Sequence, residues 1–316
     1  MNLSPDILGI TLSLIAAVGQ ALGFLLSRQY VVNHKRSALS LLVVSHLWIG
    51  LACLIILPLF WNDNANHPST YLIPTIGSAA SYCIGQFFMF TALRWADASR
   101  VSPLLGLKIA TVAVITTITL KTQISPYQWV AVAIAAAAAY MLNRTGGKLP
   151  PKVVIAMILT CISYSFADVF IVKSFEALGP PEQLITTADR FNAIALAFCL
   201  YYITCAAFCL ALLPWHGSKS KTHWTASLNY SFVWIVSTFA LFSSIALAGP
   251  ILANIGLATR GLFSIILGAL IAKLGHHHLE QHTTLPILVR RAIAAILMIA
   301  AIALYQYASP TTPPTQ

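Results

Sequence analysis

Residues 108–121 read KIATVAVITTITLK, and residues 260–273 read RGLFSIILGALIAK. In both stretches a basic residue is followed, across an apolar run of equal length, by a lysine. Lys108 and Arg260 each fall near the middle of a hydrophobic segment, where a cation costs about 2.5–3.5 kcal/mol on translocon-insertion scales. One such stretch in each half of the chain predicts a duplicated device that handles negative charge inside a membrane.

The composition of the chain indicates that most of it lies in lipid. Of its 316 residues, 58% are hydrophobic and 8% are charged, whereas about a quarter of the residues of a soluble domain are charged. Ten apolar segments have the length that a helix needs to cross about 30 Å of hydrocarbon, and they lack the alternation of transmembrane strands. These predicted spans, numbered one to ten, cover residues 7–30, 39–61, 71–93, 101–120, 126–143, 153–174, 186–213, 228–248, 251–273 and 286–307. The sequence predicts an all-α integral membrane protein with ten transmembrane helices.

Basic residues are concentrated in the loops on one side of this arrangement. The loops after the odd-numbered spans hold Arg28, Lys35, Arg36, Arg94, Arg100, Arg144, Lys148, Lys152, Lys219, Lys221, Lys273, Arg290 and Arg291. The other side holds only Lys121, Lys173 and Arg190. The positive-inside rule therefore predicts cytoplasmic basic loops and both termini outside. This asymmetry accounts for the net charge of +10 without a nucleic-acid partner.

The two halves of the chain can be aligned by their charged, tryptophan and proline residues. Lys108 aligns with Arg260, Trp61 with Trp215, and Pro126 with Pro286. Because each half has five spans, the second half enters the membrane from the opposite side, as in inverted-topology repeats. We predict a first repeat over 1–145, a linker over 146–152, a second repeat over 153–308 and a disordered tail over 309–316.

Three stretches resemble a known family, namely ALRWADASRVSPLLGLK (92–108), ISPYQWVAVAIAAAAAYML (124–142) and ALAGPILANIGLATR (246–260). They are similar to the drug/metabolite transporter superfamily, of the ten-helix EamA type. The resemblance implies an integral membrane transporter, in a bacterial inner membrane, with spans five and ten to the side of a central cavity. Lys108 and Arg260 also look like the basic residues with which the phosphate translocator branch grips a substrate phosphate.

Polar and aromatic residues on the remaining spans are the candidates for the cavity wall. We expect Tyr82, Gln86 and Asn254 to need polar partners larger than their own backbone, whereas a membrane serine or threonine often bonds back to its helix. The predicted substrate-binding residues are Lys108, Arg260, Tyr82, Gln86, Asn254, Gln20, Tyr164, Asp168, Ser237 and Phe242.

The two central cations leave three interpretations open. They could anchor an anionic substrate, pair with buried acids, or face a water-filled vestibule. Only Asp168 of the eight acidic residues falls clearly within a span, and we place it toward the end of span six. One acid can neutralise one base, which would leave a positive charge at the centre, and an arginine there does not lose its proton in practice.

The sequence therefore favours a secondary transporter that moves an anionic small metabolite by alternating access and preferred exchange. A phosphorylated compound, a nucleotide or a carboxylate would fit; an amino-acid exporter and a membrane enzyme are the alternatives. No phosphate-binding loop of the G-x-x-x-x-G-K-[ST] type occurs, and no cofactor or metal is expected, with the histidine run 276–278 interpreted as an interfacial loop. Expected partners are the substrate and membrane lipid, with no nucleic acid, in a monomer or a homodimer formed through spans five and ten.

Overall fold

The computed structural model describes residues 5–34, 37–93, 95, 101–143, 150–180, 187–218, 220–273 and 285–308, and these residues contain helices and no strands. The longer helices are α1 (Pro5–His34), α2 (Ala38–Ile56), α3 (Pro68–Leu93), α4 (Lys108–Thr119), α5 (Pro126–Asn143), α6 (Pro151–Leu178), α7 (Thr187–His216), α9 (Leu228–Ala258), α10 (Arg260–Lys273) and α11 (Leu285–Tyr307). The short helix α8 covers Lys221–Ala226, and 3₁₀ turns cover Leu57–Phe60, Asp63–Asn66 and Ser102–Leu107. The predicted linker positions 146–149, the tail 309–316 and the histidine run lie outside the described residues.

Local signals explain where several helices begin and end. The Ser37 hydroxyl caps α2 by accepting a hydrogen bond from the backbone N–H of Ser40, and α5 begins at Pro126, a residue whose fixed φ and missing N–H suit a first helical position. Helix α6 begins at Pro151 and ends before Gly179. The C-terminal end of α6 is bonded to the loop after α2, because the Asn62 side chain donates a 2.9 Å hydrogen bond to the Leu178 carbonyl.

Five helical stretches among the described residues are long and apolar enough to cross a membrane, at Pro5–Val31, Leu39–Phe60, Pro151–Leu178, Ala188–His216 and Lys221–Ser264. Large apolar side chains cover the outer surface of the bundle, as at Ile55, Ile73 and Phe232, which are 68%, 75% and 70% exposed. Exposed apolar surface of this extent marks contact with lipid or protein, while helices satisfy their own backbone groups in hydrocarbon.

The helices pack in a small set of pairs. The most extensive contacts join α1 to α9, α3 to α6, α2 to α7 and α5 to α11, and further contacts join α4 to α6 and α10 to α1. Glycine allows α1 and α9 to approach closely, because a side chain at Gly19 would collide with Ser237. Helices α5 and α11 carry exposed residues such as Tyr127 and Ile296. A homodimer through these helices, or a monomer, stays a prediction.

Helix α9 contains a break at the boundary that the sequence predicts between spans eight and nine. Gly249 has φ 76° and ψ 162°, which is not helical, and Pro250 follows it. Helix α6 continues to Leu178, so Asp168, which the sequence places toward the end of span six, lies within the second half of the helix and not in its last turn. The helix extends past the predicted end of that span at 174, through Phe175, Glu176 and Ala177 to Leu178.

Candidate central cavity

A cavity of about 60 Å³ lies where α1, α3, α6, α7 and α9 face the start of α4 and of α10. Its wall is formed by Gln20, Phe24, Tyr82, Gln86, Met89, Leu105, Lys108, Tyr164, Ala167, Asp168, Ile171, Tyr201, Tyr202, Trp234, Thr238, Leu241, Phe242, Leu257 and Arg260. A space of this size holds a few water molecules or a small ligand. Aromatic rings make up much of the wall, and charged groups occur on α4, α6 and α10.

Lys108 is paired with an acid. Its Nζ lies 2.7 Å from Oδ2 of Asp168 on α6, and both side chains are buried. The Asn254 side chain donates a 2.5 Å hydrogen bond to the same carboxylate oxygen and a 2.7 Å bond to the Pro250 carbonyl. Lys108 Nζ also lies 5.6 Å from the centre of the Tyr164 ring. The structural pairing that the sequence left open therefore holds for Lys108.

Arg260 is equally buried, at 6% exposure, but its partners are neutral. Its Nη1 donates a 2.6 Å hydrogen bond to Oε1 of Gln20 on α1, and its Cζ lies 5.8 Å from the centre of the Phe24 ring. Among the described residues no carboxylate lies within salt-bridge distance of the Arg260 guanidinium. A guanidinium has five N–H donors, so this group retains capacity for an anion.

A hydrogen-bonded chain orders the α3 side of the cavity. The Gln86 amide donates a 2.7 Å bond to the Tyr82 hydroxyl, which lies 3.1 Å from His46 Nε2. His46 Nδ1 lies 2.9 Å from the Leu42 carbonyl. That carbonyl only accepts, so Nδ1 carries the proton and Nε2 accepts from Tyr82. Each hydrogen bond in this series therefore has a defined donor and acceptor, and together they orient the side chains of Tyr82 and Gln86.

Eight of the ten predicted site residues line the cavity, and two do not. Gln20, Tyr82, Gln86, Lys108, Tyr164, Asp168, Phe242 and Arg260 are in the wall. Asn254 stands behind Asp168 and acts on the carboxylate. Ser237 packs against Gly19 and donates to the Trp234 carbonyl of its own helix, which is the backbone-bonded role expected of many membrane serines.

Sequence reasoning missed several wall residues. Tyr201, Tyr202 and Trp234 line the cavity, and the Tyr202 hydroxyl donates a 2.9 Å bond to Thr238. The adjacent tyrosines in AFCLYYITC are the one signal that could have identified them, because a tyrosine hydroxyl in hydrocarbon requires a partner. His46 on α2 was also missed, and it supports the site through its hydrogen bond with Tyr82.

A second cavity, of about 320 Å³, lies at one end of the bundle between α6, α7 and the break in α9. Its wall includes Glu176, Arg190 and Gly249. On α9 one helical turn separates Phe242 of the central cavity from Ile245 of this one. Helices α6, α7 and α9 therefore contribute to the walls of both cavities. In the described part of the chain, no group of three or more His, Cys, Asp or Glu side chains could hold a metal ion.

Comparison with known proteins finds a family that the first part of the chain resembles. Residues 7–144 match the EamA-like transporter family. The matched residues make up less than half of the chain, and they are similar to that family. The match supports the resemblance to EamA-type drug/metabolite transporters, a family of membrane transporters of small molecules.

A likeness of fold to a solved structure extends over nearly the whole chain. A protein of known crystal structure, 13% identical in sequence, aligns with a TM-score of 0.60 over 96% of this chain and 96% of that chain. At this identity the likeness concerns the fold alone. No curated protein matches the chain.

Proposed function

We propose that this protein is a secondary transporter that moves a small anionic metabolite by alternating access, with preferred exchange. The observation that carries the proposal is the setting of Arg260, which is buried at the cavity with an amide and an aromatic ring as partners. A guanidinium in a low-dielectric site keeps its charge. A bound anion would supply the partner that the described protein residues do not.

The charges at the cavity favour a substrate with one net negative charge. The wall contains two cations, Lys108 and Arg260, and one carboxylate, Asp168, and Asp168 alone is buried among the described acidic residues. A carboxylate or a small phosphorylated compound fits both the charge and the cavity of about 60 Å³ better than a nucleotide does. The resemblance of the two cations to the phosphate translocator branch stays a prediction.

The pattern of helix contacts supports an inverted repeat of ten spans. Exchanging the halves replaces α1 by α6, α2 by α7, α3 by the first part of α9, α4 by α10, and α5 by α11. This exchange turns the α1–α9 pair into the α6–α3 pair and the α10–α1 pair into the α4–α6 pair, while α2–α7 and α5–α11 are each retained. In such repeats the substrate site lies between the halves, where Lys108 and Arg260 begin α4 and α10.

Exchange follows from the cost of closing an empty cavity. Without an anion, the uncompensated cation must remain in a low-dielectric space, where desolvation of a charge is expensive. A bound anion offsets this cost and allows both gates to close. The loaded transporter should therefore change sides faster than the empty one.

Two alternative functions predict different behaviour. An amino acid could place its carboxylate on Arg260, but its amine would have to compete for Asp168 with Lys108 and Asn254. A membrane enzyme would need a cluster of reactive groups beyond the Lys108–Asp168 pair, and the described wall offers none.

The experiment that tests the proposal is uptake into proteoliposomes. Labelled carboxylates, phosphorylated metabolites and amino acids are offered to vesicles that are empty or preloaded with the same compound. We expect uptake of an anion that is several-fold faster into preloaded vesicles and is lost in Arg260→Gln. Equal rates in empty and preloaded vesicles, with acceleration by a pH gradient, would replace exchange by proton coupling. Anion uptake that persists in Arg260→Gln would contradict the proposed site.

A further inference from the structure

The two cations in the cavity wall have similar partners on two different helices. Lys108 contacts a polar side chain and an aromatic ring four residues apart on α6, Asp168 and Tyr164. Arg260 contacts a polar side chain and an aromatic ring four residues apart on α1, namely Gln20 and Phe24. The α4–α6 and α10–α1 contacts are exchanged by the repeat symmetry described above.

The two settings differ in order along the helix, since Tyr164 precedes Asp168 whereas Gln20 precedes Phe24, and they differ in charge. The polar partner is an acid on the α6 side and an amide on the α1 side. Both polar partners are buried, with Gln20 4% exposed and Asp168 3% exposed. A glutamate in place of Gln20 would have the same shape and would neutralise Arg260. The difference between an amide and a carboxylate at residue 20 therefore decides whether the cavity has a surplus charge.

We infer that Gln20 determines the charge of the transported molecule: its neutral amide leaves Arg260 uncompensated, and the site accepts one net negative charge on the α1 side. This inference rests on the proposed anion transport and deepens it. Gln20 acts as a specificity residue through Arg260, which it holds by a 2.6 Å hydrogen bond. Asp168 performs the opposite function by removing Lys108 from anion binding.

The first test uses the unmodified protein and three small probes of similar size. Propionate carries one negative charge, malonate carries two, and β-alanine is a zwitterion. Binding to the folded state raises thermal stability in proportion to the logarithm of ligand concentration over its dissociation constant. At constant ionic strength in detergent, we expect propionate to stabilise the protein most. Greater stabilisation by malonate or β-alanine, or none by any probe, would overturn the inference.

The second test moves the charge across the cavity with isosteric variants. Gln20→Glu should weaken propionate binding by at least about tenfold, because the new carboxylate compensates Arg260. Asp168→Asn should shift the preference toward malonate, because both cations are then free. Gln20→Glu combined with Asp168→Asn restores one surplus charge on the α6 side and should restore the preference for propionate.

The double variant separates charge from a general structural effect. Damage to packing would add up in the double variant, whereas a charge effect cancels. A folded Gln20→Glu protein with the probe order of the unmodified protein would refute the role of Gln20, and so would a folded double variant that does not prefer propionate. Either result, together with Arg260-dependent anion uptake, would leave the proposed function standing, whereas absence of any anion uptake would remove the function itself.

Discussion

At the scale of single residues, Lys108 and Arg260 share their depth but differ in what holds them. Lys108 is one half of a buried ion pair whose carboxylate also accepts from Asn254. Removal of one partner from such a pair leaves an uncompensated buried charge, which costs about 3–5 kcal/mol. Arg260 has no acid that would be left alone, since it bonds to the neutral Gln20.

We therefore expect Lys108→Gln to lower the melting temperature of the purified protein in detergent, while Arg260→Gln leaves it unchanged or raises it. The loss in Lys108→Gln should approach about 3–5 kcal/mol. Asp168→Asn added to Lys108→Gln should recover most of it, because the unpaired carboxylate is gone. A stable Lys108→Gln protein beside an unstable Arg260→Gln protein would reverse the assignment of structural and ligand-binding roles.

At the scale of elements, the break in α9 lies in the wall of the second cavity. Gly249 has φ 76°. A residue with a side chain loses about 1–3 kcal/mol of stability in this backbone conformation. No heavy atom lies within 4 Å of where its Cβ would be. The requirement for glycine is therefore conformational and not steric. We predict that the segment from Pro250 to Ala258 changes its angle to the rest of α9 at this point during transport.

Gly249→Ala should lower thermal stability by about 1–3 kcal/mol and slow uptake into proteoliposomes, since the backbone resists the same φ value. Gly19→Ala is the contrasting variant, because its new side chain would collide with Ser237. Ser237→Gly should relieve Gly19→Ala by removing the colliding atoms, and it should do nothing for Gly249→Ala. If Gly249→Ala were as stable and as active as the unmodified protein, the break would have no part in transport.

At the scale of the whole molecule, the distribution of basic residues, and not the fold, determines the orientation in the membrane. Lys152 is exposed at the start of α6, and Arg190 is exposed near the start of α7, after the loop that follows the end of α6. With 28 residues, α6 rises about 1.5 Å per residue, which is enough to cross the bilayer. These two residues therefore lie on opposite sides, and the positive-inside rule assigns Lys152 to the cytoplasm.

An impermeant thiol reagent on intact cells should label Arg190→Cys and spare Lys152→Cys until the cells are lysed. The unmodified protein is the control, because five of its six cysteines are buried and Cys83 is half-buried. Labelling of Lys152→Cys in intact cells, with Arg190→Cys reacting only after lysis, would invert the orientation and place both termini in the cytoplasm.

The amino-acid sequence alone determined the class of this protein and the centre of its site. Hydropathy and charge are properties of single residues that add up along a segment. The apolar spans, the EamA-type resemblance and the two central cations could therefore be recognised without coordinates. Gly249 and Pro250 likewise predicted a boundary where α9 breaks. These features depend on how a residue interacts with water, lipid or its own backbone.

Only the tertiary structure decided which side chains meet. Nothing in the sequence states that Asp168 reaches Lys108 and not Arg260, that Ser237 faces Gly19 and not the cavity, or that Tyr201, Tyr202 and Trp234 line the wall. These outcomes depend on how α4 packs on α6 and α10 on α1, because a charge pair forms or fails within an ångström or two. The same packing leaves Arg260 with a neutral amide, and from that the surplus positive charge of the cavity follows.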